Sequence, residues 1–210
     1  MNRNKKGESK MEQNGTVYFS PKYSTRQVED YLQNLKVNSP EEQWERAVDM
    51  FDDRIKGRYF CPIHHMTKNR HNVFAVASLD CLLIETFAQF FNGVSQFASR
   101  DLGERYAEFL QRCVPGIEEQ AAKDFYAKIR CGLLHSAEAK GQSYLWLGAK
   151  TAIDYDEAGN LRVSVDKLTD ALENYFQNYK KDLLAGDNRA LRVNFIKKMK
   201  AIKASFPVMC

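Results

Sequence analysis

The chain of 210 residues has no internal repeat and no low-complexity tract. Its composition excludes collagen-like, coiled-coil and disordered classes. It has no strong excess of either charge: 31 Lys and Arg stand against 27 Asp and Glu, a net of +4. That small excess lies at the ends, +3 over residues 1–10 and +5 over residues 187–210, leaving −4 for residues 11–186. The basicity therefore says little about partners of the main body. No apolar run approaches the roughly 18–20 residues needed to span a bilayer. Met1 to Gly15 is polar and lacks the apolar segment of a secretory signal. Together these readings lead us to expect a cytoplasmic protein with no membrane partner.

Cysteine offers no framework either. Cys61, Cys81, Cys113, Cys131 and Cys210 are odd in number, scattered and without C-x-x-C spacing, so disulfides are not expected. Cys81 and Cys113 sit in apolar helical patterns, where a thiol usually packs as a small hydrophobe. The sequence also has no P-loop, no G-x-G-x-x-G, no H-E-x-x-H and no G-x-S-x-G. That argues against nucleotide hydrolysis, dinucleotide redox chemistry, zincin proteolysis and α/β-hydrolase chemistry.

What is present is helical periodicity. Residues 1–15 read as a disordered basic leader with almost nothing to bury. Ser24 and Gln27 form a capping-box pattern ahead of Val28, Tyr31, Leu32 and Leu35. Ser39-Pro40-Glu41-Glu42 repeats the signal, with Pro40 suited to the first helical position. Trp44, Ala47, Val48, Phe51, Ile55 and Tyr59 continue the face, and Pro62 is expected to end it. His71 to Phe91 is the most apolar stretch; its hydrophobics nearly encircle a helix, which reads as central and buried. Asn92-Gly93 should terminate it. Further helices are marked by Leu102 to Cys113 and by Ile117 to Leu133. From Tyr144 the period changes to two, and a β-hairpin is expected over about residues 152–165, around Asp156 to Asn160. Leu168 to Leu183 and Leu191 to Ile202 return to helical spacing. The expected fold is mainly α: a helical bundle with a small β-hairpin insertion before the C-terminal helices.

Three groups of residues could carry chemistry. Cys61, His64, His65 and His71 are of zinc-ligand type. They come from one short stretch and lack the second pair that closes a structural site, so a solvated loop and no metal are expected. The helix over residues 187–210 carries Arg189, Arg192, Lys197, Lys198, Lys200 and Lys203 around an apolar stripe. Such a helix packs on its domain, and auxiliary RNA contact by Lys197, Lys198 and Lys200 is its best functional use. The third group is Arg130-Cys131-Gly132-Leu133-Leu134-His135. Arg58 and His64 make a similar spacing, but Pro62 interrupts it. In a continuous helix Arg130 and His135 lie about 140° apart. A break at Gly132 or a second copy of the chain is then needed to bring them together. Glu85, in the most apolar helix, needs a partner; Arg130 is the first choice, with Arg58 and Arg54 as alternatives. Tyr126 lies one turn before Arg130 and can reach the same place.

This Arg-x4-His stretch, with Asp80-Cys81-Leu82-Leu83-Ile84-Glu85-Thr86-Phe87 upstream, resembles the HEPN superfamily of helical domains over roughly residues 40–185. The resemblance implies a HEPN-like domain over residues 16–186 and a metal-independent endoribonuclease needing no cofactor. It implies a homodimer in which two copies of the motif share one cleft. Arg130 would hold the scissile phosphate, and His135 would act as general acid or base, leaving a 2′,3′-cyclic phosphate. A phage-defence or toxin–antitoxin setting, with an antitoxin or defence partner protein, goes with that reading. Cys131 occupies a position that is commonly polar in the family, and a thiol is a poor donor. The alternative is therefore a catalytically inactive HEPN-fold module that binds RNA or a protein partner. A purely structural assembly subunit is the third reading.

Overall fold

The structure is a computed structural model that describes residues 12–13 and 16–206. Strand β1 (Glu12–Gln13) pairs antiparallel with β2 (Thr16–Val17). The expected leader thus ends in a short ladder; its remainder, residues 1–11 and 14–15, lies outside the described residues, as does Cys210.

Helix α1 (Thr25–Asn34) starts with the expected box: Ser24 accepts from the Gln27 amide, and the Gln27 side chain accepts from the Ser24 amide. The second expected box does not form. Pro40 is the cap position of α2 (Glu41–Ile55) rather than its first residue, and Ser39 Oγ turns back to accept from Lys36 N.

Pro62 does not end this helix, contrary to the sequence expectation. A π turn (Lys56–Phe60) follows α2, with Cys61 N–H reaching Lys56 O, and leads straight into α3 (Cys61–Met66). Inside an α-helix the proline ring collides with the carbonyl four residues back. The wider π turn relieves that collision. Cys61, His64 and His65 are therefore on a helix and not in a solvated loop.

Helix α4 (Val73–Asn92) ends at Gly93, whose φ of 65° closes the helix in the left-handed region. With the turn before it, Arg70–Asn92 is long and apolar enough by length and composition to cross a bilayer. That corrects the expectation that no stretch approaches such a span. The helix packs against α5 (Leu102–Cys113), α8 (Val165–Ala185) and α9 (Arg189–Lys203). It is not buried all round: Phe74, Ser78 and Leu82 face solvent.

The helix expected from Ile117 runs from Glu119 to Ser136 in three parts. These are α6 (Glu119–Asp124), a second π turn (Phe125–Arg130) and α7 (Cys131–Ser136). Gly132 is not a break. It lies buried inside α7, and the helix ends at Ala137, the only described non-glycine residue with positive φ. Gly132 is needed for another reason: a Cβ there would come within 2.3 Å of Glu138 O, where the chain folds back.

The hairpin is present as β4 (Ile153–Tyr155) against β5 (Leu161–Ser164), antiparallel. A third strand, β3 (Ser143–Trp146), lies parallel to β5, giving the order β3-β5-β4. The molecule is mainly helical with this small sheet. Its core joins Phe51, Phe60, Phe87, Phe90, Phe176 and Phe195, contributed by α2, the first π turn, α4, α8 and α9. Ring centroids there are as close as 4.3 Å, for Phe51 and Phe90.

Candidate functional site

One stripe of α4 stays uncovered. Ser78, Leu82, Glu85 and Gln89 follow one another at spacings of four, three and four residues, so they share a face. The second π turn and α7 bring Arg130, Leu133 and Leu134 opposite that stripe. The space between them is an open cleft of about 410 Å³ that Cys81 and Thr86 also line. The spacing of polar residues through the most apolar helix is the signal that could have marked this face in the sequence.

Arg130 and Glu85 pair across the cleft, Nη2 donating to Oε2 at 3.0 Å. This selects Arg130 from the three partners the sequence left open. Arg54 and Arg58 point elsewhere and donate to Phe19 O and Tyr18 O, both at 2.6 Å. Burial works against the Arg130 charge, but the hydrogen bond and charge of Glu85 outweigh it, and the guanidinium pKa goes up. Arg130 thus remains a cation throughout any accessible pH range. Only 15% of its side chain is exposed, against 27% for Glu85.

Tyr126 lies under this pair, as its position one turn earlier suggested. Its ring centre is 5.5 Å from the Arg130 guanidinium carbon. Burial first, then the neighbouring Cys131 thiol, push the Tyr126 phenol up. Cys131 sits beside both Arg130 and Tyr126 and is half-buried. Behind them Tyr106 is buried, packs on Tyr126 at 5.3 Å and donates to Cys81 O at 3.2 Å. Burial pushes the Cys81 thiol up to about 12, so at neutral pH it is not a thiolate nucleophile.

His135 is not brought to this place. It lies on the exposed end of α7 and does not line the cleft. The π turn cannot help, because it ends at Arg130 and the residues from 131 to 136 are α-helical. The α-helical separation therefore holds within one chain.

The other sequence candidates separate as well. Lys197 and Lys200 are exposed on α9, but Lys198 points inward and is buried. It is therefore not on the solvent face with them. Burial first, with Arg54 nearby, lowers its pKa, while Glu85 works in the opposite direction. Cys61 and His65 are exposed, His71 lies in the turn before α4, and His64 Nε2 pairs with Glu173 Oε1 at 2.8 Å. Among the described residues no three His, Cys, Asp or Glu side chains converge as a metal site would require.

Sequence reasoning missed the walls of the cleft. Leu82 is 43% exposed and Leu134 is 63% exposed, and both line the cleft that holds the Arg130–Glu85 pair. An Arg held at the floor of an open cleft can bind an anion in its plane, since only one of its five N–H donors is assigned to Glu85. Comparison of the chain with family models, curated proteins and solved structures gives no match.

Proposed function

We propose that the protein is a HEPN-like helical domain acting as a cytoplasmic, metal-independent endoribonuclease and working as a homodimer. The observation that carries the reading is the Arg130–Glu85 pair in an open cleft that two exposed leucines also line. A guanidinium pinned by a single carboxylate oxygen still has donors to offer a phosphodiester. It stabilises charge as that charge develops at phosphorus. Leu82 and Leu134 form apolar margins that water leaves exposed at a cost, as at a site covered by a second copy. Two-fold pairing over this cleft is also the arrangement in which His135 of one copy can serve Arg130 of the other.

In that arrangement a ribose 2′-oxygen attacks the phosphorus, and an imidazole takes its proton. The bond to the 5′-oxygen breaks, and the imidazolium of the opposite copy protonates that oxygen. The products are a 2′,3′-cyclic phosphate and a 5′-hydroxyl, with protons balanced between the two histidines. Exposed Lys197 and Lys200 supply non-specific contact with the strand. A phage-defence or toxin–antitoxin role, with a protein partner that restrains the nuclease, goes with this activity.

The purified protein in EDTA should cleave a pool of single-stranded RNA. His135→Ala should lose about 10²–10⁴-fold in rate. Arg130→Lys should recover little of what Arg130→Ala loses, because the planar fork is absent. Equal cleavage by wild type and a folded His135→Ala variant would place the activity elsewhere. One observation favours a second reading, a HEPN-fold binding module without activity: within one chain His135 stands outside the cleft that holds Arg130. RNA retained but not cut by wild type would decide for it.

A further inference from the structure

The Arg130–Glu85 pair is not the end of the polar contacts in the cleft. Glu85 Oε1, the oxygen not used by Arg130, accepts from Gln89 Nε2 at 3.4 Å. Gln89 Oε1 accepts from Lys198 Nζ at 2.6 Å, and the same ammonium donates to Ser95 O at 2.7 Å. Four side chains therefore run in line: guanidinium, carboxylate, carboxamide, ammonium. They connect the second π turn, α4 and α9, which are far apart in sequence.

The orientation of Gln89 in this line is dictated by chemistry. An ammonium can only donate and a carboxylate can only accept. The carboxamide must therefore face Lys198 with its oxygen and Glu85 with its NH2. Its dipole lies along the line with the negative end toward the cation and the positive end toward the anion, and each bond polarises the next. Lys198 is buried and contacts no carboxylate directly; its two acceptors are the Gln89 and Ser95 oxygens. A buried charge without a partner is costly, so the ammonium holds the Gln89 oxygen firmly.

Glu85 is consequently contacted at both oxygens, by Arg130 at 3.0 Å and by Gln89 at 3.4 Å. A carboxylate held by Arg130 alone can turn about its last torsion, which is broad, and carry the guanidinium with it. One also contacted from the far side by Gln89 is restrained in that turn. The rear of the line is itself fixed. Asn194 Nδ2, one turn before Lys198, donates to Phe91 O at 2.7 Å and clamps α9 to the end of α4.

We infer that Gln89 and Lys198 are positioning residues for Arg130, acting through the Glu85 carboxylate. This rests on the proposed role of Arg130 for its function, but not for its test. The position of the Arg130 guanidinium is read by the ¹⁵N–¹H resonance of its Nε, identified by its loss in Arg130→Lys. In the full-length protein that resonance should move or vanish in Gln89→Met and in Lys198→Met. In Lys197→Met, which changes an exposed neighbour outside the line, it should stay. Gln89→Met keeps the Lys198–Ser95 contact, so it carries the test if Lys198→Met fails to fold. An Arg130 resonance unmoved in folded Gln89→Met would overturn the inference. Where wild type cleaves RNA, Gln89→Met should lower kcat about 10- to 10²-fold with little change in KM, as misplacement of a reacting group does. A moved resonance in a protein that does not cleave RNA would leave the positioning line standing and remove the ribonuclease reading. Cleavage by wild type with an unmoved resonance would do the reverse.

Discussion

Asp80 shows most plainly how one residue depends on the fold. It is fully buried between α4 and α8, and Thr169 Oγ meets its two carboxyl oxygens at 3.1 and 3.0 Å. The same hydroxyl lies 2.9 Å from Val165 O. Thr169 has one proton; given to Val165, it leaves Thr169 to accept from a protonated Asp80. Burial is the main cause that pushes the Asp80 carboxyl well up, Thr169 opposes it, and the charge of Glu173 adds to it. Ionising Asp80 thus costs more in the folded chain than in the unfolded one. Its contribution to stability is intact below the ordinary carboxyl pKa of about 4 and is lost as pH rises toward the folded value. Asp80→Asn, neutral at every pH, should stabilise the protein at pH 8 by about 1–3 kcal/mol. Its advantage should shrink toward pH 4. Urea melts at the two pH values check this; an Asp80→Asn protein less stable than wild type at pH 8 would show that the carboxylate is wanted.

At the scale of elements, the two π turns decide where side chains go. The first lets α2 continue through Pro62 into α3, which carries His64 to Glu173 on α8. The second ends at Arg130 and aims it at Glu85. It is fixed from outside: Lys140 N donates to Lys128 O at 2.9 Å, and Tyr155 OH donates to Asp124 at 3.0 Å, just ahead of the turn. Gly132 permits that closure, because the returning chain occupies the space of a side chain. Gly132→Ala improves helix propensity by about 1 kcal/mol in an open helix. Here it should instead destabilise by about 1–3 kcal/mol, the cost of overpacking. A denaturant midpoint equal to or above that of wild type would show that the loop moves aside freely.

Over the whole molecule, the question is what covers the cleft. Exposed Leu82 and Leu134 flank it, and Phe74 is exposed further along α4. The proposed homodimer should elute with a light-scattering mass about twice the chain mass of 24.2 kDa. Leu134→Glu should shift it to one chain mass while leaving the helical signal intact, since Leu134 contributes little to the core. Wild type measured at one chain mass at micromolar concentration would remove both the dimer and the shared cleft.

The helical class, the Ser24 cap, the stop at Gly93, the hairpin and the need of Glu85 for a basic partner were legible in the sequence, with Arg130 first among three choices that only the structure narrowed to one. Each rests on local periodicity, on local turn chemistry, or on the cost of an unpaired charge in an apolar helix. What stayed hidden depends on residues distant in the chain. Pro62 carries a stop signal that a π turn cancels, and no local pattern announces a π turn. Lys198 has the composition of a solvated lysine, yet α4 supplies Gln89 and Ser95 O to hold it inside. Gly132 reads as a helix breaker, yet the helix keeps it because residue 138 packs against it. The residue types that carry charge at the cleft were set by the sequence alone. Which of them meet was decided by tertiary packing, because helical periodicity fixes the face of one helix but not the neighbour laid against it.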